Sequence, residues 1–149
     1  MMVAGRALRV TMVALAVLSA SVVIEPAMTT AQAASEIAAV VNKIPITSND
    51  VARRAAFLRL QRAKGDLRKL AREQMIDDTL KREEVARVKM SVSMDDVDRS
   101  FARFAASNKM TPQQMGQVLN QAGVGVEHFK AYIAVQMSWP RVVNARFSG

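Results

Sequence analysis

Apolar residues along this chain change their spacing twice, and each change marks a boundary. Residues 10–24 (VTMVALAVLSASVVI) form a 15-residue run, apolar apart from small hydroxyls. Ile37-Ala38-Ala39-Val40-Val41 is a shorter run with β-branched side chains, and Ile44-Pro45-Ile46 follows after Asn42-Lys43. That pattern predicts one or two short strands, with Pro45 on an edge or in a bulge because proline cannot donate to a ladder. A lone hairpin is too small to be stable, so it must lie on helices or pair with another segment.

From Thr47 onward the spacing is helical, with capping residues at the starts. Thr47-Ser48-Asn49-Asp50 can close a capping box, and Val51, Ala55 and Leu58 then share one face of a helix running towards Gly65. Asp66 caps a second helix, from Leu67 to about Met90. Its apolar stripe wanders: Leu67, Leu70 and Ala71 lie on one side, Met75, Ile76, Leu80 and Ala86 nearer the other. Either that helix is buried on both sides or it breaks near Glu73. Ser93-Met94-Asp95-Asp96 opens a third helix, with Val97, Phe101 and Phe104 on one face and Asn108 suited to its end. Thr111-Pro112-Gln113-Gln114 opens a fourth, with proline at the first helical position. Met115, Val118, Leu119 and Ala122 form its apolar face, and Gly123 and Gly125 stop it. A fifth carries Val126, Phe129, Ile133 and Met137 on one face, and Pro140 should kink it by removing a backbone hydrogen bond. The expected fold is mainly α, with about five helices behind a short N-terminal strand or hairpin.

The run at 10–24 has its own setting. Arg6 and Arg9 precede it, and Ala31-Gln32-Ala33 follows with small residues where a signal peptidase reads. That order describes a secretory signal peptide cut after Ala33. A membrane anchor would need about 20 apolar residues. Cutting there leaves residues 34–149, 116 of the 149, which suits one small domain. Loss of Arg6, Arg9 and Glu25 lowers the formal net charge from +8 to +7. There is no cysteine, so even in an oxidising compartment the core must hold by packing alone. With no adjacent arginine pair ahead of the run, ordinary unfolded export is favoured, and the expected destination is the bacterial periplasm. A strong positive balance points either to an anionic partner or to a solvated basic surface. Export argues against nucleic acid, leaving acidic clients and weak contact with a membrane surface.

The ordered motifs carry a resemblance. AAVVN followed by PITSNDV, within residues 37–51, looks like the opening strand and first helix cap of SurA-type N-terminal domains. VSMDDVDRSFARFAASNKMTPQQMGQVLNQAGV, Val92 to Val124, is similar to that family throughout: the valine-serine start, the Asn-x-Met-Thr turn and the Leu-x-x-x-Gly stop fall in order. Phe129 to Met137 resembles the long helix that follows. The resemblance implies a periplasmic chaperone that holds unfolded outer-membrane proteins. Family members usually continue into parvulin-type prolyl isomerase domains and a C-terminal segment that packs back on this one. Here the helical domain is expected to use up the 116 residues, so isomerase activity is not carried over. A homodimer, or the missing C-terminal segment, would then complete the fold.

Candidate chemistry is sparse. His128 is the only histidine, expected as an exposed polar helix residue rather than a base or ligand. Without cysteine or a second histidine a zinc site would rest on carboxylates. Asp77-Asp78, Glu83-Glu84 and Asp95-Asp96 are adjacent pairs whose members point about 100° apart on a helix, so each is expected to be structural. No catalytic, cofactor-binding or metal residue is expected, and no cofactor. Flexible methionines and a tryptophan beside a kink suit a surface that binds many sequences. The candidate client-contact residues are Trp139, Met94, Met110 and Phe147.

The expected function is client binding in an apolar groove, without covalent chemistry. Two other readings fit the same residues: a shortened record of a parvulin-type isomerase, and a basic domain that associates with the membrane surface. The leader has a direct test. Intact-mass analysis of the exported protein should give a chain beginning at Ala34. A membrane-bound species retaining Met1 would refute the cut.

Overall fold

A computed structural model describes residues 35–148; the expected leader lies outside the described residues. Strands β1 (Ile37–Val41) and β2 (Ile44–Thr47) form a two-stranded antiparallel hairpin. Its two-residue turn, Asn42-Lys43, has positive φ at both positions, 47° and 72°, a backbone twist that matches the strands it joins. Val40 pairs with Pro45 and Val41 with Ile44, with an irregularity between Ile37 and Ala39. In a hairpin closed at Val41 and Ile44, the next pair is a wide one whose N–H groups point away from the partner strand. Pro45 stands there, so the donor it lacks would have faced outward. The next outward N–H, at Thr47, is taken by Asp50 Oδ2 at 2.9 Å. On the other strand, Arg72 Nε donates to the Ala38 carbonyl.

Five helices follow: α1 (Ser48–Leu60), α2 (Leu67–Arg87), α3 (Met94–Ser107), α4 (Pro112–Gln121) and α5 (Val126–Phe147). Their starts are set by the caps visible in the sequence. Thr47 with Asp50 and Thr111 with Gln114 close full capping boxes. Asp66 accepts from Arg68 and Lys69, and Ser93 from Asp96. Each bond satisfies an N–H that the helix itself cannot.

α1 ends at Leu60, before Gly65, with Arg62 in the left-handed region. α2 is one uninterrupted helix through Glu73. Its buried residues, Ala71, Met75, Asp78, Thr79 and Val85, trace a single face. The apolar stripe wandered because two positions of that face are polar. Leu80 and Ala86 are exposed, so the helix neither breaks near Glu73 nor buries that part of its stripe. α5 likewise runs through Pro140 as one helix. Proline deprives the Gln136 carbonyl of its partner, and Gln136 is exposed, so water can take that bond.

Two apolar clusters form the core, and α1 supplies both. Val51, Ala55 and Leu58 pack with Val41, Ile46, Ala71 and Met75 from the hairpin and α2. Ala56 and Phe57 pack with Val97, Phe101, Met115, Leu119, Phe129 and Ile133 from α3, α4 and α5. Phe129 is the hub of the second cluster. Its ring lies 5.2 Å from Phe57 and 6.1 Å from Phe101, both edge-on, the geometry that aligns ring edge with ring face. Gly125 joins α4 to α5 at φ 81°, ψ 139°, a conformation that side chains avoid. A Cβ there would also lie 2.3 Å from Arg53 Nη1.

Between the clusters lies a buried ion pair. Arg54 is 2% exposed, and its Nη2 donates to Asp78 Oδ2 at 2.6 Å. Removing one partner strands the other charge away from water, at a cost of about 3–5 kcal/mol. Asp78→Ala is therefore expected to lower the unfolding free energy by about that amount in urea titration. Arg54→Met with Asp78→Leu should recover most of the loss. A single substitution costing under about 1 kcal/mol, the range of exposed pairs, would contradict this.

Candidate functional site

A cleft of about 670 Å³ is bounded by β2, α1, α2 and the first turns of α5. Ile44, Pro45, Ile46, Met75, Tyr132 and Val135 contribute apolar walls. Asp50, Arg53, Arg54, Asp78, Arg82, Glu127 and His128 contribute charge or titratable groups. The lining is thus mixed, more polar than the apolar groove expected from the sequence.

Arg54 organises this cleft. Besides Asp78, it donates from Nη1 to Gln74 Oε1 at 3.2 Å and from Nε to His128 Nε2 at 3.3 Å. Its guanidinium also lies 5.1 Å from the Tyr132 ring centre, within cation–π range. One side chain thereby ties α1 to both α2 and α5. Arg53, its neighbour, turns the other way: Nη1 reaches the Val124 carbonyl at 3.4 Å and lies over Gly125. Arg82, one turn beyond Asp78 on α2, is exposed and donates to Thr79 Oγ1 at 3.1 Å.

His128 corrects the expectation of an exposed helix residue: it is half-buried and lines this cleft. Accepting from Arg54 requires a lone pair on Nε2, so the imidazole is neutral with its proton on Nδ1. Its pKa is correspondingly pushed down to about 4, first by burial and next by the Arg54 charge. Asp50 pulls the other way, and Arg53 and Arg82 add to the depression. No other histidine, and no cysteine, exists to help it hold a metal. Among the described residues no group of three or more His, Asp or Glu gathers in a metal-holding arrangement.

Five of the six carboxylates in the acidic pairs make structural contacts; Asp95 is exposed in the first turn of α3, and Asp78 holds Arg54. Asp77 pairs with Lys81, Glu84 with Arg87 and Arg146, and Asp96 with Arg99. Glu83 accepts from the Asn42 side chain at 2.9 Å, bracing the hairpin turn on α2.

The four candidate contact residues lie elsewhere, and none of them lines the cleft. Met94 is 62% exposed at the start of α3, and Met110 is half-buried against the second core cluster just past its end. The 14-residue helix between them is about 20 Å long, so they do not form one contact. Trp139 is half-buried, with Lys81 Nζ 5.7 Å from its ring centre. Phe147, the last residue of α5, is 78% exposed. Arg53, Arg54, Arg82 and His128 all line the cleft, a grouping that no motif in the sequence marks. Arg54 had a legible signal: it sits three residues after Val51 and four before Leu58, a charge on the buried face.

The imidazole makes stability depend on pH. Folding lowers the pKa of His128 from the ordinary 6.5, so between about pH 6.5 and 4 the unfolded chain binds more protons. This contribution is complete above pH 6.5 and is lost as pH falls towards 4. His128→Gln keeps an acceptor for Arg54 but cannot titrate. It should show a smaller drop in urea midpoint between pH 7 and pH 4.5 than the parent. Equal drops would remove His128 as the cause.

Among the described residues no helix is long and apolar enough to cross a membrane. A comparison with curated proteins finds no match. The chain does match the family described as SurA-like N-terminal domain over residues 4–143, a span that starts inside the expected leader and takes in the hairpin, α1 to α4 and most of α5. With the hairpin and five helices, the first four capped by the residues the motifs contain, the chain belongs to the SurA-like N-terminal domain family.

Proposed function

We propose that this domain holds unfolded polypeptide without covalent chemistry, as a chaperone module acting on outer-membrane or secreted proteins in the periplasm. Family membership supports a chaperone-like role, and such an N-terminal domain is not itself catalytic. The observation that carries the binding reading is the open cleft beside an exposed apolar hairpin. Ile44 and Pro45 belong to both, and Val40, the cross-strand partner of Pro45, is 61% exposed. Apolar surface therefore continues from the cleft onto the strand, as a site for side chains of an extended segment would require.

The hairpin limits how a client can bind. With both outward donors of β2 unavailable, a client strand cannot build a regular ladder on it. Side chains in the cleft, rather than backbone pairing, supply the contact. Contacts of this kind tolerate many sequences, which suits a holding role.

The purified protein is expected to suppress aggregation of an unfolded outer-membrane β-barrel protein in light scattering. Ile44→Asp, at a rim position 38% exposed, should weaken that suppression without loss of helical circular dichroism. The protein should not accelerate prolyl isomerisation in a protease-coupled peptide assay, where the uncatalysed step takes roughly 10–100 s. A folded protein that leaves aggregation unchanged would refute the holding reading. Binding to anionic liposomes would then favour a membrane-surface role.

A further inference from the structure

One end of the α1–α2 pair carries a dense set of cations. Arg59 lies in the last turn of α1, Arg62 and Lys64 in the connection, and Arg68, Lys69 and Arg72 in the first two turns of α2. All six are exposed, and none is in an ion pair among the described residues. Carboxylates are fewer there. Residues 59–73 hold two, Asp66 and Glu73, and Asp66 is engaged with the Arg68 and Lys69 N–H groups. Counting Glu36 as well, just ahead of β1, the local excess is three positive charges, out of a net +8 for the chain.

Helical spacing puts Arg68, Lys69 and Arg72 within an arc of about 100° on α2. That arc meets the hairpin, since Arg72 Nε donates to the Ala38 carbonyl at 3.1 Å. Ile37, next to Ala38, is 60% exposed, and Leu60, between Arg59 and Arg62, is 48% exposed. Apolar side chains therefore border the cations. None of these residues lines the cleft, so the surface is separate from it.

We infer that this corner docks the domain on an anionic lipid surface, with the arginines and lysines at the headgroups and Leu60 and Ile37 at the edge of the acyl layer. A lipid surface is anionic throughout, so cations spread over two helix ends and a loop all contribute without converging on one point. Residues 59–73 contain no aromatic ring to stack on a nucleic-acid base. Ten residues separate the apolar run at 10–24 from Ser35. While that run is held in a bilayer, the described domain therefore starts within about 40 Å of it. No helix among the described residues can cross a bilayer, so their contact with lipid is peripheral. This surface does not depend on the reading of the cleft as a polypeptide site.

Co-sedimentation with vesicles tests it, comparing mixtures of phosphatidylglycerol and phosphatidylcholine with phosphatidylcholine alone. The purified protein should bind the anionic vesicles and release them as salt approaches 1 M, where the screening length is about 3 Å. Lys64→Gln, Arg68→Gln and Lys69→Gln, combined, remove three exposed charges of the corner. Binding should weaken about a hundredfold, as expected for three cations lost beside an anionic surface. Arg99→Gln, Arg103→Gln and Lys109→Gln, combined, lower the net charge equally from α3 and its C-terminal end. They should leave most of the binding intact. An equal loss in both triple variants would reduce the effect to net charge and overturn the corner. No preference for anionic vesicles would overturn the docking outright. Tighter binding to polyglutamate or to a DNA oligonucleotide would overturn its assignment to lipid. The corner variant should still suppress aggregation as the parent does; a parallel loss would overturn the separation of this surface from the cleft.

Discussion

The buried Arg54–Asp78 pair is the constraint around which the rest of the domain is arranged. Neither charge can be left alone in the interior, so α1 and α2 must meet where their side chains can reach 2.6 Å. The remaining donors of Arg54 then fix two further neighbours, Gln74 and His128. Apolar burial supplies most of the drive to fold but is indifferent to register. The arginine is not. It sits between the two clusters, and its bonds to Asp78 and His128 tie α2 and α5 to that helix.

Much of the architecture was legible before any coordinates. Capping residues mark the starts of α1 to α4 because side-chain bonds to orphan N–H groups are short-range and depend on a few adjacent residues. The hairpin was legible for the same reason: β-branched runs flank a two-residue turn. What sequence reading missed comes from residues whose partners are distant. Asp78 and Thr79 complete the buried face of α2, and a scan for apolar residues alone sees there a helix that wanders or breaks. His128 reads as a solvated helix residue until α1, 74 positions earlier, brings Arg54 to it. Periodicity reports which face is inside; it carries no information on which polar residues from another helix share that inside.

The contact candidates picked out by residue type are not gathered into one site. Tryptophan, methionine and phenylalanine were chosen because such side chains bind well, yet half-buried Met110 packs on the core and Lys81 lies over Trp139. The cleft instead draws on Ile44 and Pro45 from the hairpin and on arginines from two helices. Its chemistry is a property of the assembly, since no one element holds both the charge and the apolar wall.

The hairpin rim has a wider consequence. Proteins destined to become β-barrels are rich in segments that readily stack edge to edge, and any bare strand can serve as the seed for such stacking. Pro45 and the committed Thr47 amide leave β2 without the donors a seed requires. The outer edge of β2 is thereby closed to that stacking. Pro45, which costs its own hairpin no bond, closes that edge to the first layer of another chain's fibre.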